Sequence, residues 1–349
     1  MSKFLLQKYQ SLPAYIPGEH AEGGGFIRLN TNESPFPPSS GVKEAVAREV
    51  DLLGYYNDPD CMGIRTALAD LYGVTPQNVV CANGSDEVLY FAFKAFAQEI
   101  ALPDITYGYY DLFCGALGIP MTKIPLKDDF TVDYREFCGV GKTVVLANPN
   151  APTGYALPIE QIEEIVKTNP YHVVIIDEAY VDFGWETSLP LIDKYDNLLV
   201  VRTFSKSRSL AGARLGYAFG CKELIAQLEI IRNAVNLYSV NLMTQAAGVA
   251  ACRENGYYME NCQKIIQNRQ MTIDGLRALG FTVLDSQGNF VFARCGRMPG
   301  RELAQKLRER GILVRRWDAP RIADYLRISI GTKEEMQALL AAVNDILGV

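Results

Sequence analysis

The stretch Val173-Val174-Ile175-Ile176-Asp177-Glu178-Ala179-Tyr180, followed by Leu198-Leu199-Val200-Val201-Arg202-Thr203-Phe204-Ser205-Lys206, decides the fold. Each segment opens with consecutive aliphatic residues, most of them β-branched. Such a short run without polar alternation reads as a strand buried on both faces. Residues 144–147 give a third run of the same kind. Between it and 173–176, residues 158–168 place Ile159, Ile162, Ile165 and Val166 on one helical face. This alternation implies right-handed βαβ crossovers and a mostly parallel sheet.

Helical patterns follow at residues 222–235 and 243–266. Strand patterns at 288–293 and 326–329 are flanked by helical ones at 301–310 and 332–347. The expected fold is α/β: a large domain with a mostly parallel central sheet flanked by helices, a smaller C-terminal α/β domain and an N-terminal arm. Boundaries are expected at residues 1–35 for the arm, 36–250 for the large domain and 251–349 for the small domain, which the arm completes. The first thirty residues read as irregular.

A length of 349 residues suits this division. With 48% hydrophobic and 21% charged residues, a mainly disordered chain is excluded. The apolar runs fall far short of the roughly 18–20 residues of a membrane span. Net charge is −6 without a basic run, so no nucleic-acid partner is expected. The opening MSKFLLQKYQSLPAY shows no export pattern, which makes the cytoplasm the expected location. Eight cysteines form no CxxC pair, and His20 and His172 are the only histidines. Free thiols and no metal site are expected.

Lys206 falls just past the end of a buried strand, where open α/β sheets bind ligands. By itself it could be a surface lysine. Asp177 ends the preceding strand after four aliphatic residues, a costly place for a carboxylate unless a donor or cation meets it. It is either a cap or ion-pair partner, or the partner of a protonated pyridine nitrogen. Tyr180 is placed to give its phenol to the ring oxygen O3′ of such a cofactor. The turn Asn83-Gly84-Ser85-Asp86-Glu87 opens an apolar helix. Free N–H groups at a helix start suit a phosphate, and Gly84 permits close approach. Ser85 or Asp86 could equally be a plain helix cap.

The series Asp177-Glu178-Ala179-Tyr180, Ser205-Lys206 and Ala211-Gly212-Ala213-Arg214-Leu215-Gly216 resembles fold type I pyridoxal-phosphate aminotransferases. Within that superfamily the chain is most similar to the histidinol-phosphate branch. The resemblance runs from Leu29-Asn30-Thr31-Asn32-Glu33-Ser34-Pro35 to Leu326-Arg327-Ile328-Ser329-Ile330-Gly331-Thr332. It implies pyridoxal 5′-phosphate as cofactor and Lys206 as the Schiff-base lysine, with Asp177 and Tyr180 beside it in catalysis. Gly84, Ser85, Asp86, Ser205 and Arg214 are implied around the cofactor phosphate, and Tyr107 on the pyridine face. Tyr56 matches a tyrosine that reaches the neighbouring subunit's cofactor, which implies a homodimer. For substrate, the resemblance implies Arg327 on the carboxylate, Arg315 on the phosphate, and Tyr15 and Asn32 at the entrance. The implied reaction exchanges the amino group of histidinol phosphate with 2-oxoglutarate, giving imidazole acetol phosphate and glutamate.

The chain departs from the family pattern at Asn148-Pro149-Asn150-Ala151-Pro152-Thr153-Gly154, where Ala151 replaces the asparagine that contacts O3′. Either Asn150 substitutes for it, or Tyr180 carries that contact alone. Threonine-phosphate decarboxylases and aromatic aminotransferases share these motifs and stand as alternatives. A non-catalytic nucleotide-binding module lacks support, because no GxGxxG follows a first strand.

Overall fold

The computed structural model describes residues 4–10, 12, 14, 18, 19 and 25–348. Its strands are β1 (Ile27–Leu29), β2 (Val79–Ala82), β3 (Ile100–Pro103), β4 (Met121–Ile124), β5 (Thr143–Ala147) and β6 (Val174–Asp177). They continue with β7 (Leu198–Thr203), β8 (Gly216–Phe219), β9 (Phe281–Val283), β10 (Phe290–Cys295), β11 (Ile312–Val314) and β12 (Tyr325–Ser329). Seven of them form a central sheet in the order β2-β8-β7-β6-β5-β3-β4. All its pairings are parallel except those of β8, which runs antiparallel to β7 and β2.

The uninterrupted aliphatic runs have the expected cause. Val144, Leu146, Val174, Ile176, Leu198 and Val200 enter one core, while Val145, Ile175, Leu199 and Val201 enter another on the opposite face. With both faces covered by helices, alternation would place a polar side chain in a dry layer, so none occurs. The helix expected over 158–168 is Ile159–Thr168, buried through Ile162, Ile165 and Val166.

A third core joins the antiparallel sheet β12-β10-β9 to the C-terminal helices Gly300–Glu309 and Lys333–Leu347. Leu29, Ala151, Tyr180 and Phe183 belong to the same core, so the C-terminal unit is packed onto the loops that follow β5 and β6.

Two expectations need correction. The arm is not wholly irregular, since β1 pairs in parallel with β11. A three-residue strand is too short to show a period, and its partner is remote in sequence. The helix expected over 243–266 is two helices, Leu242–Arg253 and Asn255–Ala278, hinged at Glu254. Gly256 lies just past the break, where its poor helix propensity weakens continuation. The second helix outruns its apolar pattern because its buried face includes Asn261, Arg269 and Thr272. Arg269 donates to the carbonyls of Phe183 (3.0 Å) and Gly288 (2.7 Å), and so ties the two units together.

Beneath the ends of β6 and β7 lies a buried ion-pair cluster. Glu178 accepts from Arg202 through Nε at 3.0 Å and Nη2 at 2.8 Å, and also from Ser188 and Thr187. Asp182 faces Arg202 and Arg208, each at 3.6 Å, and accepts from Ser207. Burial pushes the Asp182 carboxyl up, but the two guanidiniums and the Ser207 hydroxyl outweigh it and hold it below its ordinary range. Removing one partner of such a cluster leaves a dry, uncompensated charge. Arg202→Leu should therefore cost about 3–5 kcal/mol of unfolding free energy, read from urea denaturation. Adding Glu178→Gln to that variant should restore part of the loss; an unchanged midpoint in Arg202→Leu would mean that water reaches the pair.

Candidate active site

Strand register assembles the site. Ala147 lies opposite Asp177, Asp177 opposite Val201, Thr203 opposite Gly216, and Gly216 opposite Ala82. The segments leaving β5, β6, β7 and β2 thus meet on one rim of the sheet. Tyr107 follows β3, next to β5, where the chain's direction of travel across the sheet reverses.

Two cavities open on this rim, and Lys206, Tyr107, Tyr180 and Ala151 line both. The first is also bounded by Ser85, Asp86, Asp177, Ser205 and Arg214. Asn32, Arg315, Arg327 and Trp317 bound the second. Lys206 stands at their junction, with its Nζ donating to the Thr31 carbonyl at 3.3 Å.

One end of the first cavity is built for close backbone approach. Helix Ser85–Phe96 begins there, capped by Gly84 with φ +86°. A Cβ at Gly84 would strike the Arg214 guanidinium, and one at Gly216 would strike the backbone of Gly84 and Ser85. Glycine at both positions lets β8 press against the helix start, where peptide N–H groups and the macrodipole favour an anion. Arg214 itself is held left-handed (φ +57°) and donates to Asp86 at 3.0 Å. Asp86 also accepts the Tyr107 hydroxyl at 2.8 Å. The Ser205 hydroxyl accepts from Thr203 Oγ1 at 2.9 Å, on the same rim.

Asp177 is buried and, among the described residues, forms no salt bridge. That removes the ion-pair reading of this carboxylate. Its Oδ2 accepts the Tyr110 hydroxyl at 2.8 Å, and its Oδ1 accepts the Ala179 N–H at 3.1 Å. Burial raises its pKa to about 6; the Tyr110 and Ala179 hydrogen bonds pull it down, while Asp86 and Glu178 push it up. A buried carboxylate with donors but no cation, facing a cavity, is an arrangement for meeting a cationic ligand atom. Its chemistry fits a pyridinium nitrogen.

The Tyr180 hydroxyl accepts from Asn32 Nδ2 at 3.1 Å, and its ring packs edge-on against Phe290 at 5.1 Å. Asn32, left-handed at φ +56°, is fixed in turn by Ser329, which accepts its N–H and donates to its Oδ1, both at 2.8 Å. Asn150 is not brought to either cavity. Its amide donates to the Ile105 carbonyl and the Thr153 hydroxyl, both at 3.0 Å, and its oxygen accepts from Thr106. Ala151 forms the wall instead, so of the two candidates Asn150 and Tyr180 only Tyr180 lines the cavity. Tyr56 is away from this rim, exposed and stacked on Tyr238 at 4.7 Å. Tyr15 lies outside the described residues.

In the second cavity Arg327 donates to the Asn30 carbonyl at 2.9 Å. Its guanidinium sits 5.4 Å from the Trp317 ring, and that of Arg315 sits 5.5 Å from the same ring. The backbones of the two arginines also bond reciprocally, at 2.8 and 3.0 Å. Trp317 and Tyr110 were not singled out from the sequence. The Tyr-Gly-Tyr-Tyr run 107–110 placed Tyr110 one helical turn from Tyr107, which was the available signal.

This rim, with a lysine, a cation-free buried carboxylate and a glycine-walled helix start, defines an α/β enzyme with an anion cradle. The chain belongs to the aminotransferase class I and II family, whose model matches residues 25–343. A histidinol-phosphate aminotransferase 2 of Dechloromonas aromatica is 44% identical over 356 residues, covering 100% of both chains. A histidinol-phosphate aminotransferase of a Marinomonas strain is 45% identical over 355 residues, or 99% of this chain and 100% of that one. Among solved structures, histidinol-phosphate aminotransferase from Sinorhizobium meliloti in complex with pyridoxal-5′-phosphate superimposes with a TM-score of 0.89. It is 25% identical, with 100% of this chain and 98% of that one covered.

The raised pKa of Asp177 has a thermodynamic consequence. Between the unfolded value of 3.8 and the folded value of about 6, the folded chain binds more protons than the unfolded one. That contribution to stability is complete below pH 3.8 and is lost as pH rises through about 6. In ligand-free protein, Asp177→Asn should flatten this decline, by up to about 3 kcal/mol between pH 4 and 7. Urea melts of both proteins across that window provide the check; parallel profiles would mean that Asp177 is solvated.

Proposed function

We propose that this chain is a pyridoxal-phosphate-dependent aminotransferase that exchanges the amino group of histidinol phosphate with 2-oxoglutarate. The observation that carries the reading is the position of Lys206 at the junction of the two cavities, between Asp177 and the Arg315–Arg327 pair. The full-length relatives of that name support the choice of substrate. When bound, pyridoxal phosphate supplies an electron sink for the pair released at the substrate carbon.

Each residue then has a task suited to its chemistry. Lys206 would anchor the cofactor and, once released by substrate, would carry a proton on Nζ between the amine-bearing carbon of the substrate and C4′ of the cofactor, the two carbons on either side of the transferred nitrogen. Asp177 holds a proton on the ring nitrogen, Tyr180 donates to the ring oxygen, and Tyr107 covers a ring face. Ser85, Ser205 and Arg214 hold the phosphate; Gly84 gives it room and Asp86 orients Arg214. Arg327 and Arg315 bind the oxyanions of both substrates, since a guanidinium fork meets carboxylate and phosphate alike. Asn32 fixes Tyr180 at the entrance.

The active unit is a homodimer in this reading. Leu52, Leu53, Tyr55, Tyr56, Val235 and Tyr238 are exposed, and the Tyr56–Tyr238 stack joins the two segments into one apolar patch. A second copy covers it and receives Tyr56 at its own phosphate. A cytoplasmic location is part of this reading; among the described residues no helix is long and apolar enough to cross a membrane.

A substrate panel scored by glutamate formation tests the reaction. Histidinol phosphate should be the preferred donor; carbon dioxide release without amino transfer would sink the assignment in favour of a decarboxylase. Lys206→Ala should lose all turnover, and borohydride reduction followed by peptide mapping should label Lys206 alone. Arg327→Ala should slow both half-reactions about 10–100-fold, the worth of a charged hydrogen-bond pair. Arg315→Ala should raise KM for the phosphorylated substrate more than for glutamate, and lysine should rescue neither site well. Single-turnover rates unchanged in both alanine variants would remove the arginines from the site.

A further inference from the structure

Tyr110 is the second residue of helix Tyr109–Leu117 and is fully buried. Its ring meets Tyr107 edge-on at 5.4 Å and Phe93 at 6.0 Å, so packing on two sides fixes its rotamer. Its hydroxyl points at one acceptor, Oδ2 of Asp177, at 2.8 Å. A hydroxyl sealed in an apolar layer and aimed at the carboxylate that faces the cofactor cavity is more than core filling, because phenylalanine would fill the same space without a polar atom.

We propose that Tyr110 is a positioning residue for the reaction: its hydroxyl fixes the rotation of Asp177 and keeps it ionised, ready for the ring nitrogen of the cofactor. The inference rests on the proposed function and deepens it. The surrounding charges explain why such a donor is needed. Asp86 and Glu178 both disfavour the Asp177 anion. The cations nearby are committed elsewhere: Arg214 donates to Asp86, and Arg202 to Glu178. Lys206 lines the same cavity and bonds the Thr31 carbonyl. Burial holds Asp177 near 6 even with the Tyr110 hydrogen bond in place, and removing that bond would move it further up. Tyr110 does not lose its own proton, since burial and the Asp177 charge push its pKa far above the tyrosine range. It is a permanent donor.

The test is Tyr110→Phe, which keeps the ring and deletes the hydroxyl. Pyridoxal phosphate is titrated into wild-type and variant apoprotein from pH 6 to 8, following the absorbance of the bound cofactor, and transamination is recorded over the same range. The expected result is a Kd for the cofactor raised roughly tenfold or more at neutral pH, the scale of a hydrogen bond to a charged group. The difference should shrink towards pH 8, where Asp177 ionises in both proteins. A merely structural role would lower thermal stability but leave the pH profile of Kd in place, and that outcome would overturn the proposal. In an Asp177→Asn background Tyr110→Phe should change Kd no further; an equal loss there would also overturn it, and this comparison holds if either variant folds less well. A wild-type chain that binds no pyridoxal phosphate would take down the functional reading and this inference with it. Normal wild-type binding with an unchanged Tyr110→Phe removes the inference alone.

Discussion

Burying the Asp177 carboxylate at the end of β6 takes it out of water, and the groups around it have to offset that cost. Two hydrogen bonds, from Tyr110 and the Ala179 N–H, offset part of it. No salt bridge completes the compensation among the described residues, so the carboxylate is left without a charged partner. Burial outweighs the two hydrogen bonds and holds its pKa at about 6. In the proposed function, a ligand that brings a proton on a ring nitrogen supplies that partner.

That arrangement holds only if the loops leaving β6 and β7 cannot move apart. The neighbouring residue, Glu178, faces the other way and pairs with Arg202 of β7 at 2.8 Å. Asp182 then engages Ser207 and Arg208, one and two residues beyond Lys206. The ion-pair cluster therefore ties the segment carrying Asp177 and Tyr180 to the segment carrying Lys206. Successive residues of one short run, Asp177 and Glu178, point to opposite faces, one toward the cavity and the other into the ion-pair cluster.

The C-terminal unit contributes by contact rather than by connection. Ser329 at the end of β12 fixes Asn32, which fixes Tyr180. Arg327 of β12 and Arg315, just beyond β11, stack on Trp317 and reach the same rim from the far side. A guanidinium held against an indole loses less freedom when it meets an oxyanion, so the recognition proposed for this pair would be prearranged.

The sequence by itself determined the sheet's character and the identity of much of the site. Unbroken β-branched runs have one stable environment, the middle of a covered parallel sheet, and a lysine and an aspartate at their ends must lie on its ligand-binding rim. Gly84 and the Ser205-Lys206 pair were legible because a glycine at a helix start and a lysine just past a buried strand stand where a ligand can be approached. Tertiary structure decided what depends on partners remote in sequence. Strand β1 exists only because β11 lies beside it. The long helix Asn255–Ala278 hides its period because Arg269 is accepted by carbonyls from two other segments. Asn150 and Tyr180 were equal candidates for the cavity until the fold spent the amide of Asn150 on Ile105 and Thr153. Tyr110 carried only its spacing from Tyr107 as a mark until folding aimed its hydroxyl at Asp177. A side chain's chemistry is written in its residue type, but which group answers it is fixed only when distant segments are packed to hydrogen-bonding distance.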